Sequence, residues 1–477
     1  MLSHTFSLIR RTAFILFAFA FLAVSSQAQT SSPDDSLVFN NVNVVDVRTG
    51  TIQPDQTVIV DKDKIAFVGP SKSAKSSRHA ATVNCHGMFL IPGLWDMHVH
   101  LMFGDWFPGS RDINLPLFVV NGVTGVRDMG SELDILQNWR NEIEARRQIG
   151  PRILTSGPML DGPRPRFPSS IAITTPEDGR RAVDDLQRRG ADFIKLQSLI
   201  PRDAVFAIAE EARKQQIPFV GHVPDAVRAS EMSNAGQKSF EHLIGILEGS
   251  SAKEEEFLKG NKTVTQLLAG YDPARMPALA ALLAKNQTWQ CPTLVWERGG
   301  NLLDQTNFAT DTRAKYAPNS WKSGAWKRFT EEIRQGYATD TLDARKKFLQ
   351  TELDVVQQLH KAGVPFLAGT DTPPGVYVFP GFSLHEELQR FVDAGFTPLE
   401  ALQTATLNPA RFFGMESQLG TIEAGKLADL VLLSANPLEN IANTKKIISV
   451  VANGQYFDRA QLGKLLIGVE AAARKQK

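Results

Sequence analysis

Five short apolar runs, far apart in the chain, each carry at or near their carboxyl end a side chain suited to a metal site. They are Trp95-Asp96-Met97-His98-Val99-His100, Phe193-Ile194-Lys195-Leu196, Phe219-Val220-Gly221-His222-Val223, Phe240-Glu241-His242-Leu243 and Leu367-Ala368-Gly369-Thr370-Asp371-Thr372. Runs of this kind read as buried parallel strands, and a polar residue at the carboxyl end of such a strand points into the open end of a barrel. Residues two apart in a strand share a face, so His98 and His100 can reach one ion. Imidazole suits zinc and its neighbours, and a carboxylate oxygen completes a hydrolytic site. A lone His-x-His is weak evidence. With His222, His242 and Asp371 at equivalent strand ends, the set points to a metal centre and to metal-assisted hydrolysis.

The elements that must position these residues alternate between strand-like and helix-like stretches, the pattern of a parallel sheet. Eight strands are expected, at 94–98, 122–128, 152–156, 193–196, 218–222, 239–243, 291–295 and 365–370, with helices such as 177–189 and 202–215 between them. The fold class is α/β, a (β/α)8 TIM barrel over residues 91–417 with its site at the carboxyl ends of the strands. Residues 36–90 and 418–461 have another texture, short alternating segments broken by Asn, Asp and Gly turns. These two chain ends are expected to pair into one small β-sandwich domain, with 462–477 as a helical tail. Two segments break the rhythm. The Pro- and Gly-rich stretch 157–168 should form a rigid loop over the site, and 297–363, with Tyr316, Trp321, Trp326 and Tyr337, should fold as helices that wall it.

A chain of 477 residues can bury a large core beside a smaller domain. Its formal net charge of +1 gives no electrostatic reason to expect nucleic acid or an anionic membrane as a partner. Residues 1–28 read as a cleaved export signal: Arg10 and Arg11 precede an apolar stretch at 13–24, and small residues Ser26 and Ala28 follow. Cleavage near Ala28 would leave a periplasmic or secreted protein with no membrane segment. The two cysteines, Cys85 and Cys291, are expected as separate buried thiols, too few for a thiolate zinc site.

The chain resembles the metal-dependent amidohydrolase superfamily, most of all its imidazolonepropionase-like branch, which includes exported dipeptidases. The resemblance rests on Gly93-Leu94-Trp95-Asp96-Met97-His98-Val99-His100, Gly122-Val123-Thr124-Gly125-Val126-Arg127-Asp128, Ala405-Thr406-Leu407-Asn408-Pro409-Ala410 and Gly420-Thr421-Ile422-Glu423-Ala424-Gly425-Lys426-Leu427-Ala428-Asp429. It implies two divalent metal ions, zinc the leading choice. One would be held by His98, His100 and Asp371, the other by His222 and His242. Lys195 would bridge both as a carbamate formed with carbon dioxide, since a free ammonium cannot bind a metal. The implied reaction is cleavage of an amide bond in a small substrate, a dipeptide or an N-acyl amino acid, by metal-activated hydroxide. Asp371 would act as general base and then acid. A lactonase, esterase or cyclic-amide hydrolase would use the same metals. A deaminase fits less well, because Asp225 stands where that chemistry wants a glutamate. A noncatalytic binding protein on the same scaffold is the third class.

Substrate contacts are expected from Arg164 and Arg166 on the 157–168 loop, from Arg298 and from Tyr377, an arginine suiting a free carboxylate. His385 follows the eighth strand and is a further candidate, its other reading being structural. A small-molecule substrate is the only partner implied, and the oligomeric state is left open.

Overall fold

The computed structural model describes residues 36–74, 80–260, 262–305, 307 and 310–476. The export signal expected at 1–28 lies outside the described residues.

The two chain ends form one eight-stranded sheet. Leu37–Asp46, Thr51–Asp61, Lys64–Pro70, Ala81–Asn84 and Phe89–Pro92 come from the first end, and Leu430–Leu433, Ile447–Ala452 and Gln455–Phe457 from the second. The ends join where Phe89–Pro92 runs antiparallel to Leu430–Leu433. Strand alternation explains why the sheet stays: Leu90, Leu430 and Leu432 pack with Phe39 and Val58 on one face, while Ile91, Val431 and Leu433 join the main core on the other. The expected sandwich is instead a single sheet that forks. One edge of the first strand pairs with Ala81–Asn84 along Leu37 to Asn40 and with Phe89–Leu90 at Asn43 and Val44. Register shifts on its other edge, between Phe39 and Val44, mark bulges there, and bulges bend a strand.

Between the ends the chain is α/β. Leu94–Val99, Val123–Asp128 and Arg152–Thr155 make one parallel sheet. Ser170–Ala172, Met159–Asp161, Ile194–Leu196, Phe219–Gly221, Ser239–Glu241 and Trp289–Cys291 make a second, paired in that order. Amphipathic helices connect them, as periodicity predicts. Pro176–Arg188 buries Ala182, Val183 and Leu186, and it starts at a capping box in which the Thr175 hydroxyl accepts from the Asp178 N–H.

Three expectations move. The stretch expected as strand at 291–295 is strand only at Trp289–Cys291. Thr293 turns left-handed at φ 47°, and the Leu294–Asn301 helix begins there, the Leu294 and Val295 N–H groups donating to the Glu387 carboxylate at 3.0 and 2.8 Å. The eighth segment, 365–370, forms no continuous ladder. It threads between the first and last parallel strands through single bridges, Gln290 to Phe366 and Val99 to Thr372, because the Thr370 and Asp371 N–H groups both turn to the His98 carbonyl. The 157–168 loop itself contributes the Met159–Asp161 strand.

The 297–363 stretch is helical as expected, with Ala325–Gly336 and Leu342–Lys361 its longest pieces. Its tryptophans are anchored by their indole N–H groups: Trp321 donates to the Pro108 carbonyl at 2.8 Å and Trp326 to that of Pro373 at 2.7 Å. The C-terminal helix, Arg459–Lys475, starts slightly before its expected position because Asp458 caps it.

Candidate metal centre

His98, His100, Lys195, His222, His242 and Asp371 line one cavity of about 530 Å³ at the carboxyl ends of the parallel strands. The His98 and His242 ring centroids are 4.6 Å apart, and those of His222 and His242 are 5.0 Å apart. Local backbone geometry serves this convergence. A Cβ on Gly221, which adopts φ 123°, would lie 2.3 Å from the Leu196 carbonyl oxygen and 2.8 Å from Lys195 Cδ, so glycine lets the His222 strand approach the lysine. His242 and Asp371 both adopt left-handed backbone, φ 61° and 56°. Such strain persists where the surrounding structure enforces it.

Each imidazole is held by Nδ1. His98 donates to Glu241 Oε2 at 2.8 Å and His100 to the Gly130 carbonyl at 3.3 Å. His222 shares a hydrogen bond with the Ser198 hydroxyl at 2.8 Å, and His242 one with Thr293 Oγ1 at 2.6 Å. Burial, with the nearby Lys195 charge, drives His98 and His222 well below the usual histidine range, and burial pushes His242 down to about 3. His98 is therefore neutral, its one proton committed to Glu241, and its Nε2 presents a lone pair 3.6 Å from Asp371 Oδ1. His100 Nε2 faces the same oxygen at 3.2 Å. Asp371 Oδ1 is buried with no hydrogen-bond partner. Acceptors facing one another in this way suit a cation between them. The oxygen and nitrogen donor set, with three of its ligand atoms mutually within 4.8 Å, fits a zinc-like divalent ion.

Lys195 is wholly buried, its Nζ has no hydrogen-bond partner, and burial pushes its ammonium down to about 8. A lysine kept for an ion pair would show that pair.

Sequence reasoning missed the support beneath these side chains. Glu241, fully buried, bridges His98 to Arg127, whose Nη2 lies 2.9 Å from both carboxylate oxygens. Arg127 also donates from Nη1 to the Ser239 hydroxyl at 2.9 Å. Asp96 accepts from the Thr370 N–H at 3.0 Å and the Thr370 hydroxyl at 2.7 Å, tying the first and eighth segments together, and burial pushes its carboxyl up to about 7. The signal was there in part, since Glu241 directly precedes His242 and Asp96 lies two residues before His98.

Of the residues expected to touch substrate, Arg166 lines the cavity and the others do not. The Asp161 carboxylate, accepting from the Arg166 and Leu199 N–H groups, shapes its loop, and its guanidinium pairs with Glu332. Arg164 is exposed on the same loop, and Arg298 is exposed on a helix whose preceding residues, Trp296 and Glu297, face the cavity. Tyr377 packs against the aromatic cluster around Trp326. His385 is structural: buried, it joins Thr444 Oγ1 at 2.9 Å to the Asn121 carbonyl at 3.1 Å. Cys85 and Cys291 are separate buried thiols.

A parallel α/β scaffold that gathers imidazoles, a carboxylate and an unpaired lysine at its strand ends defines a metal-hydrolase type of site. The chain belongs to the amidohydrolase family, whose model matches residues 89–456, and it is a hydrolase of carbon–nitrogen bonds. Ochratoxinase from Aspergillus niger is 26% identical over 472 residues, covering 85% of this chain and 83% of that one. The solved structure of the bottromycin amidohydrolase is similar with a TM-score of 0.72 at 24% identity, covering 93% and 92% of the two chains. A Xaa-Pro dipeptidase with methionine bound in its active site gives 0.66 at 19% identity, over 89% of this chain and all (100%) of that one. These structures share the fold.

Proposed function

We propose that the protein is a binuclear metal-dependent amidohydrolase that cleaves an amide bond of a small substrate, a dipeptide or an N-acyl amino acid, at the open end of a (β/α)8 barrel. The observation that carries this reading is Lys195, a fully buried side chain with an unpartnered nitrogen among four histidines and Asp371. An isolated buried ammonium is costly. Reaction of the neutral amine with carbon dioxide, with loss of one proton, turns it into an anion with two oxygens that can serve two ions. His98, His100 and Asp371 would hold one ion and His222 and His242 the other, zinc being the choice this donor set favours. When bound, the ions supply Lewis acidity that activates water and polarises the scissile carbonyl.

The chain's own groups do the rest. Glu241, Gly130, Ser198 and Thr293 keep the imidazole Nε2 atoms aimed inward. The Asp371 carboxylate takes the proton from the attacking water and returns it to the departing amine. A cavity of about 530 Å³ suits a small substrate. Arg166 supplies a guanidinium for a carboxylate, by exchange with Glu332. Activity on amide-bonded compounds by relatives named ochratoxinase and Xaa-Pro dipeptidase supports this class. Export follows from Arg10, Arg11 and the apolar stretch after them, and N-terminal sequencing of the mature protein tests cleavage near Ala28.

The decisive experiment assays zinc-loaded protein against dipeptides, N-acyl amino acids, cyclic amides and lactones, with metal content measured on the same sample. Amide turnover with two ions per chain is expected. Turnover of a lactone alone, or a single ion at full activity, would sink the reading.

A further inference from the structure

One carboxyl group in the cavity wall has no part in the proposed hydrolytic centre. Glu297, on the Leu294–Asn301 helix, lines the cavity beside Trp296 and Tyr337. Among the described residues it makes no ion pair, and its carboxylate is met by the Asn301 side-chain amide at 3.4 Å. Close by stands Glu352, 2% exposed, with Oε2 buried and unpartnered and likewise no ion pair. Burial pushes Glu297 up to about 8, Asp371 adding to the rise; burial and the charges of Glu297 and Glu387 hold Glu352 well above the carboxylate range. Arg345 stacks over the Tyr337 ring and gives its Nη2 to Asp304 at 3.0 Å. Arg166 is taken by Glu332.

Burying an acid such as Glu352 with an oxygen left unpartnered is expensive, and a purely structural pair would be expected to carry a cation or a full set of donors. Among the described residues neither acid forms an ion pair, and Glu297 lines the cavity, from which a positive group can reach it. We propose that Glu297, backed by Glu352, is a specificity-determining residue that receives an ammonium group of the substrate. This rests on the cavity being the substrate site of the proposed amidohydrolase. With Arg166 able to exchange Glu332 for a substrate carboxylate, the cavity then favours zwitterionic substrates, a free dipeptide over an N-acyl amino acid.

The test uses ligands with no amide bond, so that binding is read apart from turnover. Metal-loaded protein is titrated calorimetrically with L-leucine, with 4-methylpentanoate, which lacks only the ammonium, and with 6-aminohexanoate, which carries it at the chain end. Wild type is expected to bind an ammonium-bearing ligand about tenfold or more tighter than 4-methylpentanoate. Preference for leucine assigns an α-ammonium, and preference for 6-aminohexanoate a side-chain one. Glu297→Gln, which keeps the size of the side chain, should abolish the preference and leave 4-methylpentanoate binding within about twofold. Equal binding in wild type, or a preference that survives in Glu297→Gln, overturns the proposal. A wild type that hydrolyses no amide yet shows the Glu297-dependent preference loses the proposed reaction and keeps this site.

Discussion

On the floor of the cavity each imidazole Nδ1 is committed to a partner, and the atoms left over, Lys195 Nζ and Asp371 Oδ1, are buried. On the rim, Arg166 and Glu332 pair with side chains 55% and 36% exposed, on a loop and a helix that meet only in the tertiary fold. The floor is carried by strand ends and braced by a buried Arg127–Glu241 pair. The difference teaches where each property resides. A rigid floor can hold donors to the tolerance that ion binding and proton transfer require, whereas a solvated rim can change partners at small cost, which suits choice of substrate.

The sharpest way to break this contrast is at Asp371. Asp371→Asn removes the proposed proton carrier and is expected to lower kcat by about 10²–10⁴ with circular dichroism unchanged. Retained turnover would move proton transfer off the floor altogether. Next comes the brace: Glu241→Gln leaves the fully buried Arg127 guanidinium without its counter-charge, so denaturant unfolding should show a loss of about 3–5 kcal/mol. A loss below about 1 kcal/mol, the range of exposed pairs, would show that the floor is no stiffer than the rim. Thr293→Ala frees the His242 ring, and competition with a chelator should show metal affinity about 10–100-fold weaker.

The floor was legible in the sequence to the extent that its candidate ligands end apolar runs, a pattern that His98, His222 and His242 share. Their supports do not. Arg127 and Glu241 are 114 residues apart, and nothing in the Gly125-Val126-Arg127-Asp128 run says that its arginine is buried beneath the histidines. The seventh strand was placed too late for a similar reason. Cys291-Pro292-Thr293-Leu294-Val295 has a strand's composition, but a carboxylate 92 residues beyond Val295 captures the N–H groups that start a helix. The rim was least readable. Arg164 and Arg166 differ little in sequence context, and only the Asp161 hydrogen bonds and the Ala325–Gly336 helix turn one of them inward. Glu297 and Arg298 are neighbours, and helix phase alone sends the acid to the cavity and the base to solvent.

The smallest effects should come from the rim pair itself, and their smallness is the point. Arg166 and Glu332 form an exposed ion pair, so a double-mutant cycle through Arg166→Ala and Glu332→Ala should return a coupling of about 0.2–1 kcal/mol in unfolding free energy. That coupling should shrink as salt is raised. Substrate binding should respond more than stability does. Glu332→Ala releases the guanidinium that a substrate carboxylate would otherwise have to win from it, so KM for a carboxylate-bearing substrate should fall, while Arg166→Ala raises KM and leaves kcat nearly unchanged. If Glu332→Ala raises KM as much as Arg166→Ala does, the two act as one fixed wall, and the rim is as preorganised as the floor.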